Sequence, residues 1–143
     1  MPKILILTGP NLNLLGRREP EIYGHDTLDD IHAMCADEAQ TLGYEIDCRQ
    51  SNHEGLLVDW IQEAMDDFDG IIINAAAYTH TSIAIHDALK MTGKPIIEVH
   101  ISDPDTREEF RHHSYIRPLA KQVIKGQGAK GYVLALQAFS TIL

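Results

Sequence analysis

Thiols are scarce in this chain. Its 143 residues include two cysteines, Cys35 and Cys48. No C-x-x-C pair is present, and no thiol spacing suits a metal. Cys35 falls on an apolar helical stripe and Cys48 in a strand candidate. Both read as buried free thiols, not as a disulfide. Long apolar runs are missing too: none approaches the ~18–20 residues of a membrane span. The opening MPKILILTGPN has one lysine and an apolar run broken early by Gly-Pro, too short for a secretory signal. One domain over residues 1–143 and a cytoplasmic location are expected, with no membrane partner. Positive charge is also in short supply: 12 basic residues stand against 21 acidic ones, a net charge of −9. That balance argues against a nucleic-acid partner. The glycine-rich phosphate loop, the G-x-G-x-x-G turn and H-E-x-x-H are all absent. Among the eight histidines, His80 and His86 are six apart, which does not align them on a helix. No lysine falls in the stretches rich in arginine, histidine and asparagine, so imine chemistry is disfavoured.

The positive charge that is present is clustered. Five of the six arginines, Arg17, Arg18, Arg107, Arg111 and Arg117, lie in two short stretches. In an acidic protein, that concentration points to a local site for a small anion. The first stretch belongs to Thr8–Gly24, TGPNLNLLGRREPEIYG, between a strand candidate and a helix candidate. Most such connections run about 2–6 residues, and longer ones are functional or disordered. This one carries Asn11, Asn13, Arg17, Arg18 and Tyr23 between glycine and proline breakers. It reads as a shaped loop bearing polar chemistry, against the alternative of a solvated surface loop.

Lys3–Leu7 is a continuous apolar run, hence a strand buried on both faces. Thr27-Leu-Asp-Asp30 resembles a capping box and opens a helix with Leu28, Ile31, Cys35 and Leu42 on one stripe. Tyr44–Gln50 is a mixed strand suited to a sheet edge. Ser51 or Asn52 is expected to cap a helix through Phe68, with Leu57, Trp60, Ile61, Ala64 and Met65 inward. Gly70–Asn74 is a third strand, and about Thr81–Thr92 a helix with Ile85, Ala88 and Leu89 inward. Pro95–Ile101 is a fourth strand, Lys121–Ile124 a fifth, and Gly128 to about Thr141 the last helix. Gly43, Gly70 and Gly93 repeat one device, a glycine past a helix end. Five β/α alternations predict a three-layer α/β fold with a parallel sheet. The size suits a flavodoxin-like order, 2-1-3-4-5, with ligands beyond the carboxyl ends of the strands. Thr8–Asn13, Asn74–Ser82 and Glu98–Ser102 should converge there.

Glu98, His100 and Ser102 alternate at the end of strand four and so share one side. The carboxylate can orient the imidazole and favour its protonated form. A histidine bonded to nearby backbone is the alternative. Arg107 and Arg111 lie on one face if their segment is helical, and two guanidiniums there suit a carboxylate or diol. A solvated face paired with Asp103, Asp105, Glu108 and Glu109 is the alternative. Asn74 with Thr79–Ser82 offers amides and hydroxyls for an anion, or simple helix capping. Tyr23 is a poor base as a neutral phenol, unless a cation such as Arg18 stabilises its charged form. Packing is the other use of a tyrosine.

GPNLNLLGRREPEIYG (Gly9–Gly24), NAAAYTHTSIAIHDAL (Asn74–Leu89) and EVHISDPDTREEFRHHS (Glu98–Ser114) together resemble the type II 3-dehydroquinate dehydratase family over essentially the whole chain. The resemblance implies dehydration of 3-dehydroquinate to 3-dehydroshikimate through an enolate, in the shikimate route or quinate breakdown. It implies no metal and no cofactor. Tyr23 would be the base, helped by Arg18, with Asn11 holding a water against the enolate oxygen. His100, supported by Glu98, would protonate the departing hydroxyl. Asn74, the Ile101 and Ser102 amides and the Ser102 hydroxyl would take the carboxylate. His80, Arg111 and Asp87 would contact the ring hydroxyls, with Asp87 reaching in from a neighbouring subunit. Arg107 and the loop Arg17–Gly24 would close over the site. The assembly implied is a dodecamer built from trimers. A non-catalytic module that binds a small anion is the rival from another class, and it needs no base.

Overall fold

The computed structural model of the chain describes residues 1–17 and 19–143. Arg18, the expected helper of Tyr23, lies outside the described residues. Five strands form one parallel sheet: β1 (Lys3–Thr8), β2 (Glu45–Gln50), β3 (Gly70–Asn74), β4 (Ile96–His100) and β5 (Gln122–Lys125). Their order is β2-β1-β3-β4-β5, as the β/α alternation predicts. Alternation along the strands sorts the core into two layers. Ile4, Ile6, Ile72, Ile97 and Val99 pack beneath α2 (Leu28–Leu42) and α5 (Lys130–Ala138). Leu5, Leu7, Ile71, Ile73 and Ile96 pack beneath α3 (Glu54–Asp67) and α4 (Ile83–Thr92). Strands buried on both faces explain the continuous apolar runs in β1 and β3. No helix among the described residues is long and apolar enough to cross a membrane.

The opening of α2 follows its sequence signal. The Asp30 amide donates to Thr27 Oγ1 at 3.2 Å, and the Thr27 amide donates to the Asp30 carboxylate at 2.9 Å. Other local signals are overridden. Neither Ser51 nor Asn52 caps α3, whose preceding residue, His53, makes no side-chain cap. Ser51 Oγ accepts from the His53 amide instead, and Asn52 is drawn toward the loop after β1. Met65 is 42% exposed, because it lies one residue off the stripe Leu57–Ile61–Ala64. Gly70 is the first residue of β3, where an added Cβ would lie 2.6 Å from the Phe139 ring. Its smallness therefore serves close packing, whereas Gly43 and Gly93 take the left-handed conformation past their helices. A 3-10 turn, Ala76–His80, separates β3 from α4. The segment after β4 is two 3-10 turns, Pro104–Thr106 and Glu109–Arg111, so Arg107 and Arg111 share no helix face. Within the long first loop stands a further single turn, α1 (Pro20–Tyr23), with Pro20 at its first position.

Candidate active site

The carboxyl ends of β1 and β3 are level, with Thr8 opposite Asn74. The chain leaving β1 then crosses directly over the chain leaving β3. The Gly9 amide donates to the Asn74 carbonyl at 2.8 Å. A Cβ on Gly9 would sit 2.5 Å from the Ala75 carbonyl oxygen, so only glycine fits this crossing. The end of β2 holds the next residues. Asn52 Oδ1 accepts from the Asn11 amide at 2.9 Å, while Gln50 Nε2 donates to Asn52 Oδ1 at 3.2 Å and to the Gly9 carbonyl at 3.1 Å. Asn11 is held there at φ 71°, a left-handed conformation that asparagine tolerates better than most residues.

A cavity of about 210 Å³ opens where these loops meet the end of β4. Asn11, Tyr23, Asn74, His80, His100, Ile101, Ser102, Arg107 and Arg111 are among the residues that line it. Nine residues singled out in the sequence thus share one cavity. Glu98 stands behind His100, fully buried. Asp87 lies on the exposed face of α4, outside this cavity.

Two imidazoles in the cavity are set differently. His100 Nε2 is bonded to Glu98 Oε2, leaving Nδ1 as its other ring nitrogen. His80 Nδ1 lies 2.8 Å from the His113 carbonyl oxygen. A carbonyl only accepts, so His80 Nδ1 carries the proton and Nε2 is an acceptor in the neutral ring. Burial lowers the His80 pKa, against the His113 carbonyl and the Glu98 carboxylate, which favour the protonated ring; the neighbouring Arg111 guanidinium acts in the same direction as burial. The two rings lie near-parallel with centroids 6.5 Å apart.

Two guanidiniums line the same cavity. Arg107 Nη1 donates to Ser102 Oγ at 3.3 Å, and its Cζ lies 5.2 Å from the centre of the Tyr23 ring. Arg111 Nε donates to Glu108 at 2.7 Å, and Glu108 is also 3.9 Å from Arg107 Nε. The two sequence readings of this pair therefore combine: both arginines line the cavity, and both lean on one exposed acid. Asn74 is fixed at both ends of its amide. Its Oδ1 accepts from the Ala76 amide at 3.1 Å, and its Nδ2 donates to the Tyr132 hydroxyl at 3.1 Å. Tyr132 is fully buried, and burial pushes its phenol up to about 12, so it stays neutral.

Three supporting residues had no visible sequence signal for these tasks. Tyr132 is a tyrosine on an apolar helical stripe, and Asn52 looks like a helix cap. Ser114 is buried 16 positions beyond Glu98, and its hydroxyl donates to that carboxylate. Only the fold brings these partners together.

Residues 2–140 match the family model described as dehydroquinase class II. The chain is 58% identical over 143 residues to the 3-dehydroquinate dehydratase of Variovorax paradoxus, covering 96% of this chain and 98% of that protein. Against the 3-dehydroquinate dehydratase of Rhizobium meliloti it is 57% identical over 139 residues, covering 97% and 94%. The crystal structure of type II dehydroquinase from Propionibacterium acnes superposes with a TM-score of 0.94 at 47% identity, covering 99% of this chain and 97% of that one.

Proposed function

The chain belongs to the class II dehydroquinase family and has 3-dehydroquinate dehydratase activity, and on that premise we propose how its own residues carry the reaction. Tyr23, as a phenolate, takes the proton beside the ketone of 3-dehydroquinate and leaves an enolate. Asn11 holds a water against the enolate oxygen. The enolate then re-forms the ketone, makes the carbon–carbon double bond and expels the hydroxyl. That hydroxyl takes a proton from His100 and departs as water. Tyr23 then returns its proton to solvent and His100 regains one, which resets the site. The three roles a β-elimination beside a ketone requires are a base, an oxyanion stabiliser and an acid.

One observation carries this reading: a phenol and a carboxylate-held imidazole line the same small cavity. The guanidinium of Arg107 near the Tyr23 ring supports the base, since a cation there stabilises phenolate charge. Arg18 is assigned the same task by resemblance. Glu98 supports the acid by engaging His100 Nε2, which leaves Nδ1 for the leaving group. Asn74, Ser102 and the backbone at Ile101 and Ser102 take the substrate carboxylate. His80 accepts from a ring hydroxyl through Nε2, and Arg111 donates to another. Arg107 and the loop Arg17–Gly24 cover the bound substrate. Residues 1–143 act as one catalytic domain, without metal or cofactor, in the shikimate route or in quinate breakdown.

Asp87 completes the site from a neighbouring copy in a dodecamer of trimers. Its place on α4 supports this: it is exposed between Ile83 and Met91, which are 57% and 63% exposed on the same face. Ultraviolet absorbance of protein mixed with 3-dehydroquinate and a chelator tests the mechanism, since the conjugated product absorbs where the substrate does not. We expect a steady rise that the chelator leaves unchanged and Tyr23→Phe lowers by about a thousandfold. A Tyr23→Phe protein of near-wild-type rate would remove Tyr23 from the base role.

A further inference from the structure

Glu98 is a fully buried carboxylate, and what surrounds it gives Ser114 a task. Ser114 is only 6% exposed and follows the second 3-10 turn beyond β4. Its Oγ lies 3.1 Å from Glu98 Oε1 and 3.0 Å from Oε2. The same oxygen accepts from the amides of Ile116 at 3.1 Å and Arg117 at 3.0 Å. A hydroxyl has two lone pairs and one proton. Backbone amides only donate, so both lone pairs are taken and the proton must point at Glu98. Ser114 is thereby locked as a donor, and a donor favours the ionised form of the carboxylate it faces.

The residues on either side keep it in place. The Tyr115 amide donates to the Thr79 carbonyl at 2.9 Å. His80 Nδ1 donates to the His113 carbonyl at 2.8 Å, and His86 Nδ1 to the Tyr115 carbonyl at 2.6 Å. We propose that Ser114 is a positioning residue for the reaction: it holds the Glu98 carboxylate in place, so that Glu98 holds His100 with Nδ1 turned to the leaving group. This inference rests on the reading of His100 as the acid.

The test separates the acid step from the base step. Dehydration is followed by absorbance, and deuterium uptake from heavy water into unreacted 3-dehydroquinate is followed by mass spectrometry. Uptake reports proton removal by the base, whether or not water then leaves. In Ser114→Ala we expect dehydration to fall by about tenfold to a hundredfold, with KM held within about threefold. The ratio of deuterium uptake to dehydration should rise by about tenfold or more. In a His100→Ala background, Ser114→Ala should cost nothing further. If Ser114→Ala does not fold, Ser114→Cys is measured the same way, since a thiol keeps the shape and only weakly donates. Dehydration within about twofold of wild type, or a loss in which uptake falls in parallel, would overturn the role of Ser114. If His100→Ala is slow while Ser114→Ala is not, only this inference fails. If His100→Ala itself dehydrates at the wild-type rate, the reading of the acid fails first.

Discussion

The two ends of the proposed proton path rest on different foundations. At the end of β4, Glu98 is fully buried and bonded to both His100 and Ser114. His100 is itself nearly buried, on a strand paired with β3 and β5. Tyr23, which lines the same cavity, stands on α1, a single turn in which no residue is buried. That turn is entered through Glu19 at φ 41° and left through Gly24 at φ 82°. Its backbone bonds are local, from Ile22, Tyr23 and Gly24 to Glu19 and Pro20. The proposed acid is therefore held by the sheet and the core, while the proposed base stands on a short surface turn with its ring packed against the core. Segments with few buried contacts open at the lowest free energies, and elements that admit and cover substrates come from that end of the scale. The contrast teaches that one wall can be preorganised for chemistry while the other lets substrate in.

The largest effects should make this contrast visible in stability. Tyr23→Phe and His100→Ala should each lower kcat by about a hundredfold to ten-thousandfold. Urea unfolding should separate them. His100→Ala leaves a buried carboxylate without its ring partner and should cost about 1–3 kcal/mol. Tyr23→Phe should shift unfolding by less than about 0.5 kcal/mol. Equal destabilisation by the two would break the comparison. A smaller effect is expected at the bracket beneath the loop. Asn52→Ala removes the acceptor for the Asn11 amide, so kcat should fall by about tenfold while unfolding barely moves. Unchanged kcat would show that the loop keeps its shape without β2.

Acidity sharpens the same contrast. The His80 value is lowered in the folded protein, chiefly by burial, so the ring remains neutral through neutral pH and takes its proton only below about pH 6.5. The folded state then binds fewer protons than the unfolded one in that acid range. Stability, and with it the acceptor at Nε2, should decline as pH falls below about 6.5. KM should be flat from about pH 8 to 7 and rise on further acidification, and His80→Asn should lack that rise. A rise already complete by pH 7 would contradict the assignment. The smallest effect lies far from the cavity. Thr27→Ala removes one half of the capping box of α2 and should cost about 1 kcal/mol in urea, with kcat unchanged.

Much of this arrangement was legible in local sequence. The apolar runs of β1 and β3, the polar residues that follow them and the Thr27–Asp30 cap all act over a few residues, and each led to the right element. So did the alternation of Glu98 and His100. What stayed hidden depends on distance along the chain. Asn52 has the look of a helix cap, yet its side chain is taken by Asn11, 41 residues away. Tyr132 meets Asn74 because α5 packs on the sheet at β3, and Ser114 meets Glu98 because the segment after β4 folds back and is tied to Thr79 by the Tyr115 amide. The turn α1 was masked by a proline and a glycine, both of which read as loop.

Amide hydrogen exchange, with and without 3-dehydroshikimate, tests the contrast most directly. In the free protein the amides of Ile22, Tyr23 and Gly24 should exchange about a thousandfold faster than those of Val99 and His100. Product should slow the first group by about tenfold or more and leave the second unchanged. Equal protection of the two groups in the free protein, untouched by product, would show that both walls are equally fixed and would contradict the account.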